Sequence, residues 1–139
     1  GPVLGLHLGM AGRIVVDGDA EGDPAPAGEN ARPLLDRFVV EFEDGFKIYH
    51  AGDTAVFMDM QLIGKLLAPD IALLPIGDHY TMGPRSAAEA IRLLGVKKVV
   101  PMHYGTFPVL VGTPDDLRKE ASDVADLEVL DLKPGETLT

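Results

Sequence analysis

From Phe57 onward the chain alternates short helical patterns with short apolar β-rich runs, and this alternation narrows its fold more than any other feature. Residues 57–67 place Phe57, Met60, Ile63, Leu66 and Leu67 at helical spacing and end before Pro69. The near-continuous apolar run 70–75 has the pattern of a strand covered on both faces. A second helix is expected over 84–94, with Pro84 in its first turn, Ala87, Ala90, Ile91 and Leu94 inward and Gly95 as its stop. A β-rich run follows at 97–102. Thr113-Pro-Asp-Asp then reads as an N-cap, a first-turn proline and two first-turn acids, opening a helix to about Val124. A strand over 127–132 and a short strand after Pro134-Gly135 complete the pattern.

Upstream, the runs 37–43 and 46–50 flank Asp44-Gly45, a strong hairpin signal. Gly12–Val16 is a short β-branched run. Residues 17–33 hold acids, Pro, Gly and Ala without a large apolar side chain, so they are expected to form an acidic, flexible surface loop. The whole reads as α/β: a hairpin followed by βαβαβαβ, which calls for a mixed sheet with helices packed on it. A doubly wound sheet would share this pattern, but no GxGxxG opens the chain.

Composition excludes several kinds of chemistry. With no cysteine among 139 residues, there is no disulfide, zinc–thiolate site or cysteine nucleophile, and any metal must bind His or carboxylate. The net charge of -10 disfavours phosphate backbones and anionic membranes, so neither nucleic acid nor membrane is an expected partner. Half of that surplus lies on Asp17, Asp19, Glu21, Asp23 and Glu29. There is neither a bilayer-length apolar run nor a basic-then-apolar opening segment, so a cytoplasmic location is expected.

Three of the four histidines gather where the strands end: His50 with Asp53 in YHAGDT, Asp78 with His79 in PIGDHYTMGP, and His103 in PMHYGTF. In open α/β sheets the loops at the carboxyl edge converge on one crevice. Imidazoles and carboxylates without thiolates suit zinc, manganese or iron, where two ions sharing a carboxylate make hydroxide available near neutral pH. Each residue also has a plainer reading. Asp53 is the type of residue that caps a turn, His103 has the setting of a hydrogen-bonded core imidazole, and Asp78 with His79 can form a loop network. His50, within its strand, suits a core or supporting role as well as ligation. His7 has no carboxylate neighbour.

The segments 48–54, 70–83 and 100–107 closely resemble the second half of the metallo-β-lactamase superfamily, in particular the metal-dependent hydrolases related to ascorbate-6-phosphate lactonase. The resemblance implies half of an αβ/βα sandwich with metals at the edge where its sheets end. It implies that Asp53 bridges two divalent metal ions, with zinc favoured, and that His103 is a terminal ligand of the second. His50, Asp78, His79 and Thr81 are then substrate-facing or supporting groups, with His79 also placed to orient the substrate or donate a proton.

The superfamily's HxHxDH motif, which supplies most of its metal ligands, is absent from these 139 residues. Residues 1–139 are therefore expected to be the C-terminal half of such a domain, inactive alone, with one apolar sheet face open to water. The partner expected to complete the site is the N-terminal half, as a separate chain or an intertwined protomer in a homo-oligomer acting on a small-molecule substrate. The expected function is metal-dependent hydrolysis of an ester, lactone or phosphoester; the alternative is a non-catalytic metal- or ligand-binding module with an incomplete site.

Overall fold

The computed structural model describes residues 12–16 and 37–139; the acidic segment 17–33 and His7 lie outside the described residues. Six strands, β1 (Gly12–Val16), β2 (Phe38–Phe42), β3 (Lys47–His50), β4 (Ile71–Pro75), β5 (Lys98–Met102) and β6 (Glu128–Val129), form one sheet in sequential order. β1, β2 and β3 pair antiparallel, and β3 through β6 pair parallel. The hairpin turns at Gly45, whose φ of 86° is easily reached by glycine, and the Asp44 carboxylate accepts the Phe46 N–H at 3.0 Å.

Each parallel connection carries one helix: α1 (Met60–Leu67), α2 (Pro84–Leu94) and α3 (Pro114–Glu120). Because the strands add in one direction and such crossovers are right-handed, all three helices lie on one face. Val39, Tyr49, Ala72, Leu74 and Val99 of the sheet pack there with Met60, Ile63, Ile91 and Leu117 of the helices. The strand order never reverses, which separates this sheet from a doubly wound one.

The opposite face carries its own apolar cluster of Ile71, Leu73, Val100 and Met102, with Ile48, Leu130 and Leu132 against it. These four residues are only 5–8% exposed, so the centre of this face is not open to water as expected. Apolar side chains on both faces of β4 account for its uninterrupted hydrophobic run.

Other differences have local causes. Leu66 is 76% exposed and does not share the inward face of Met60 and Ile63. At about 100° per residue it lies roughly 120° around the helix from Met60 and joins Met58 and Leu62 outside. α3 ends at Glu120, not Val124; Arg92 from α2 donates to the Glu120 carbonyl at 2.8 Å and to Asp123 at 2.6 Å, binding the chain where it leaves the helix. β6 is limited to Glu128–Val129, and 133–139 form a turn and coil, not a strand. The Thr113 cap is present, with its hydroxyl accepting the Asp116 N–H at 3.2 Å.

Gly64 brings α1 and α2 into backbone contact, since a Cβ there would overlap the Leu94 carbonyl. Alanine normally improves an exposed helix interior by about 1 kcal/mol over glycine, whereas overpacking costs about 1–3 kcal/mol. The clash involves backbone, so it prevails: Gly64→Ala is expected to lower the urea midpoint without changing its m-value.

Candidate metal centre

Three loops leave the carboxyl edge of β3, β4 and β5, and backbone contacts tie them together. Ala51 N–H donates to the Leu73 carbonyl, Met82 N–H to Thr54, and Ile76 N–H to Met102, at 3.1, 3.0 and 3.0 Å. A Cβ on Gly77 would overlap the His103 carbonyl, and one on Gly112 would overlap the Ile76 carbonyl. Only glycine permits these two approaches, so the β4 and β5 loops close on each other.

This closure brings Asp53 and His103 together, with the carboxylate Oδ2 3.7 Å from the imidazole Nε2. That is too long for a hydrogen bond. It is close to the roughly 3.4 Å expected between two donors each about 2.1 Å from one tetrahedral ion. The Asp53 side chain is 70% exposed and that of His103 32% exposed, so the gap faces outward. The donor set therefore fits a divalent metal as two of its ligands. Among the described residues no group of three or more His, Cys, Asp or Glu side chains converges, so these positions do not complete a coordination shell.

His103 sits in the left-handed region at φ 54°, followed two residues later by Gly105 at φ 69°. A non-glycine residue there costs on the order of 1–3 kcal/mol and persists only where its surroundings enforce it. Its Nδ1 is buried and has no hydrogen-bond partner among the described residues. Tyr104, next in sequence, donates its hydroxyl to Asp131 Oδ1 at 2.7 Å.

His50 stands at the end of β3 and stacks on Phe38 with ring centroids 5.1 Å apart and planes 12° apart. Its Nδ1 accepts the Gly52 N–H at 3.1 Å, which puts the proton of the neutral ring on Nε2. Burial pushes its pKa down, and the Asp53 charge offsets this only partly. His50 thus braces the turn that presents Asp53, with Gly52 at φ 67°.

The second loop contributes less directly. The Asp78 carboxylate packs where α2 begins, with its Cγ 3.0 Å from where a Gly83 Cβ would stand, a favourable place for negative charge at a helix start. His79 makes an edge contact with the Tyr80 ring at 4.3 Å, and Thr81 donates its hydroxyl to the Met82 carbonyl at 3.3 Å. Neither Asp78 nor His79 joins Asp53 and His103 in a group of three or more donors among the described residues. The groove between α1 and α2, lined by Gln61, Lys65, Leu93 and Gly95 among others, contains no His or carboxylate.

The matched family model covers residues 12–104 and is described as a beta-lactamase superfamily domain. This chain belongs to the metallo-β-lactamase superfamily. It is 64% identical over 102 residues to a UPF0173 metal-dependent hydrolase of Rubrobacter xylanophilus, covering 73% of this chain and 42% of the relative. A protein of the same description from Thermococcus onnurineus is 56% identical over 102 residues, with 73% and 44% covered. Among solved structures, the metallo hydrolase Igni18 of Ignicoccus hospitalis matches at TM-score 0.67 and 45% identity, over 73% of this chain and 44% of that one. The chain thus spans a little over two-fifths of the length of these relatives.

Phe38, Gly77, Tyr104 and Asp131 also shape the site, through ring stacking, close backbone approach and a hydrogen bond. Gly77 and Tyr104 adjoin the motifs, but the sequence does not show what they touch. Burial first, and then the Asp131 hydrogen bond, push the Tyr104 phenol up to about 12. A phenol whose pKa is raised on folding stabilises the fold below its ordinary value near 10 and loses that contribution as pH rises toward 12. Between about pH 9 and 11 the native chain should therefore lose urea stability relative to Tyr104→Phe, as denaturation at the two pH values will measure.

Proposed function

We propose that this chain carries the Asp53 and His103 ligands of a metal-dependent hydrolase. The observation that carries this reading is the outward-facing 3.7 Å gap between Asp53 Oδ2 and His103 Nε2, unbridged by a hydrogen bond, on loops locked together by backbone contacts. Asp53, with a second carboxylate oxygen available, is the residue suited to bridge two ions, with zinc favoured and manganese or iron accepted by the same donors. The remaining ligands come from the N-terminal half of the domain, the segment that bears HxHxDH and is not among these 139 residues. The metals, when bound, supply Lewis acidity and a nucleophile at neutral pH.

Within that site His50 holds the Asp53 turn through Gly52. His79, exposed at the mouth, orients substrate or donates a proton to the leaving group. Asp78 and Thr81 shape the loop that presents it.

The three loops, residues 51–59, 76–83 and 103–113, contain no Lys or Arg. They do carry the exposed apolar side chains Met58, Tyr80, Phe107, Val109 and Val111. These apolar side chains favour a carbonyl ester or lactone with an apolar substituent, while the Arg37 guanidinium, 4.4 Å from the ring centroid of Phe57 on the first loop, is the cation available to a phosphoester. The rival reading, a binding module with an incomplete site, has in its favour that only two of the described donors converge.

Asp53→Asn, made in this chain together with its HxHxDH-bearing half, tests the central reading: bound metal by elemental analysis and hydrolysis of p-nitrophenyl butyrate should both fall to background. Metal and turnover that survive the substitution would remove Asp53 from the site. Metal lost on substitution, without any turnover in the unsubstituted two-half assembly, would support the binding module. For His79→Ala the expected result is unchanged metal content with reduced turnover, whereas loss of metal would make His79 a ligand.

A further inference from the structure

His103 is oriented by unusual means. A metal-ligating histidine ordinarily hands its second ring nitrogen to a carboxylate or carbonyl, which sets the direction of the first. Here the second nitrogen, Nδ1, is buried with no partner among the described residues, so no hydrogen bond from them aims the ring. Among the described residues, what sets the direction of Nε2 is therefore the backbone, which is in the left-handed region at φ 54°.

Two contacts bear on this stretch. On one side Gly77 lies against the His103 carbonyl. On the other, Tyr104 turns its ring onto the core beneath the helices and donates its hydroxyl to Asp131 at 2.7 Å. Asp131 is itself well anchored. The preceding Leu130 donates its N–H to the Val99 carbonyl of β5 at 2.8 Å, and Arg118 donates to the Val129 carbonyl at 3.0 Å. The anchor is thus built on β5, the strand from which His103 emerges, and the loop is fastened back onto its own base.

We propose that the Tyr104–Asp131 hydrogen bond is a clasp that holds His103 in its left-handed conformation and so aims Nε2 at Asp53, making Tyr104 a positioning residue. The inference rests on the metal-ligand reading of His103 for its consequence, but its structural content is independent of metal.

The test uses the full protein, this chain together with its HxHxDH-bearing half, and three variants of it, each checked for folding by thermal melting. Tyr104→Phe and Asp131→Ala remove the hydrogen bond, whereas Asp131→Asn keeps an acceptor oxygen for the phenol. The backbone carbon shifts of His103 report its conformation, and titration with Zn2+ alone reports the site. In the first two variants the His103 shifts should leave the left-handed range and the Zn2+ Kd should rise about tenfold, while Asp131→Asn stays within about twofold of the native chain. His103 shifts unchanged in Tyr104→Phe would overturn the clasp, as would an Asp131→Asn variant that behaves like Asp131→Ala. If the native chain binds Zn2+ no better than Asp53→Asn does, the metal reading fails, and the His103 shifts still decide whether the clasp exists.

Discussion

The close backbone approach of the β4 and β5 loops is the constraint on which the site depends. Gly77 lies against the His103 carbonyl and Gly112 against that of Ile76, and neither position has room for a side chain. Remove either approach and the loops separate, which moves His103 away from an Asp53 presented by a different strand. The 3.7 Å between the two donors is thus a property of glycine placement as much as of the donors themselves.

The sheet supplies the rest of the geometry. Strands added in one direction with right-handed crossovers put every helix on one face and every β-to-α loop at one edge. The far face carries a smaller apolar cluster buried at its centre, flanked by Ile48 and by Leu130 and Leu132 from beyond β5. That C-terminal segment therefore has two roles. Its leucines line the second cluster, while Asp131 between them takes the Tyr104 hydroxyl.

The four predicted supporting residues divide according to what they touch. His50 is integrated, stacked on Phe38 and bonded to the turn that holds Asp53. Asp78 packs beside Gly83 at the start of α2, a favourable place for negative charge. His79 and Thr81 remain on the loop, where the His79 ring meets that of Tyr80 and the Thr81 hydroxyl donates to the Met82 carbonyl. Spacing in sequence put all four near the carboxyl edge but did not distinguish these environments.

The sequence by itself determined the order of elements, the Asp44-Gly45 hairpin, the Thr113 cap and the clustering of His and Asp at strand ends, because these follow from periodicity, turn chemistry and short-range spacing. It also carried the superfamily motifs, which are contiguous. The exposed position of Leu66 and the early end of α3 were decided by the tertiary structure. The first depends on helix phase against the sheet, and the second on an Arg92 guanidinium arriving from another helix. Likewise only the folded chain joins Tyr104 to Asp131 and Asp53 to His103, since these pairs are 27 and 50 residues apart and meet only when β5 has neighbours on both sides.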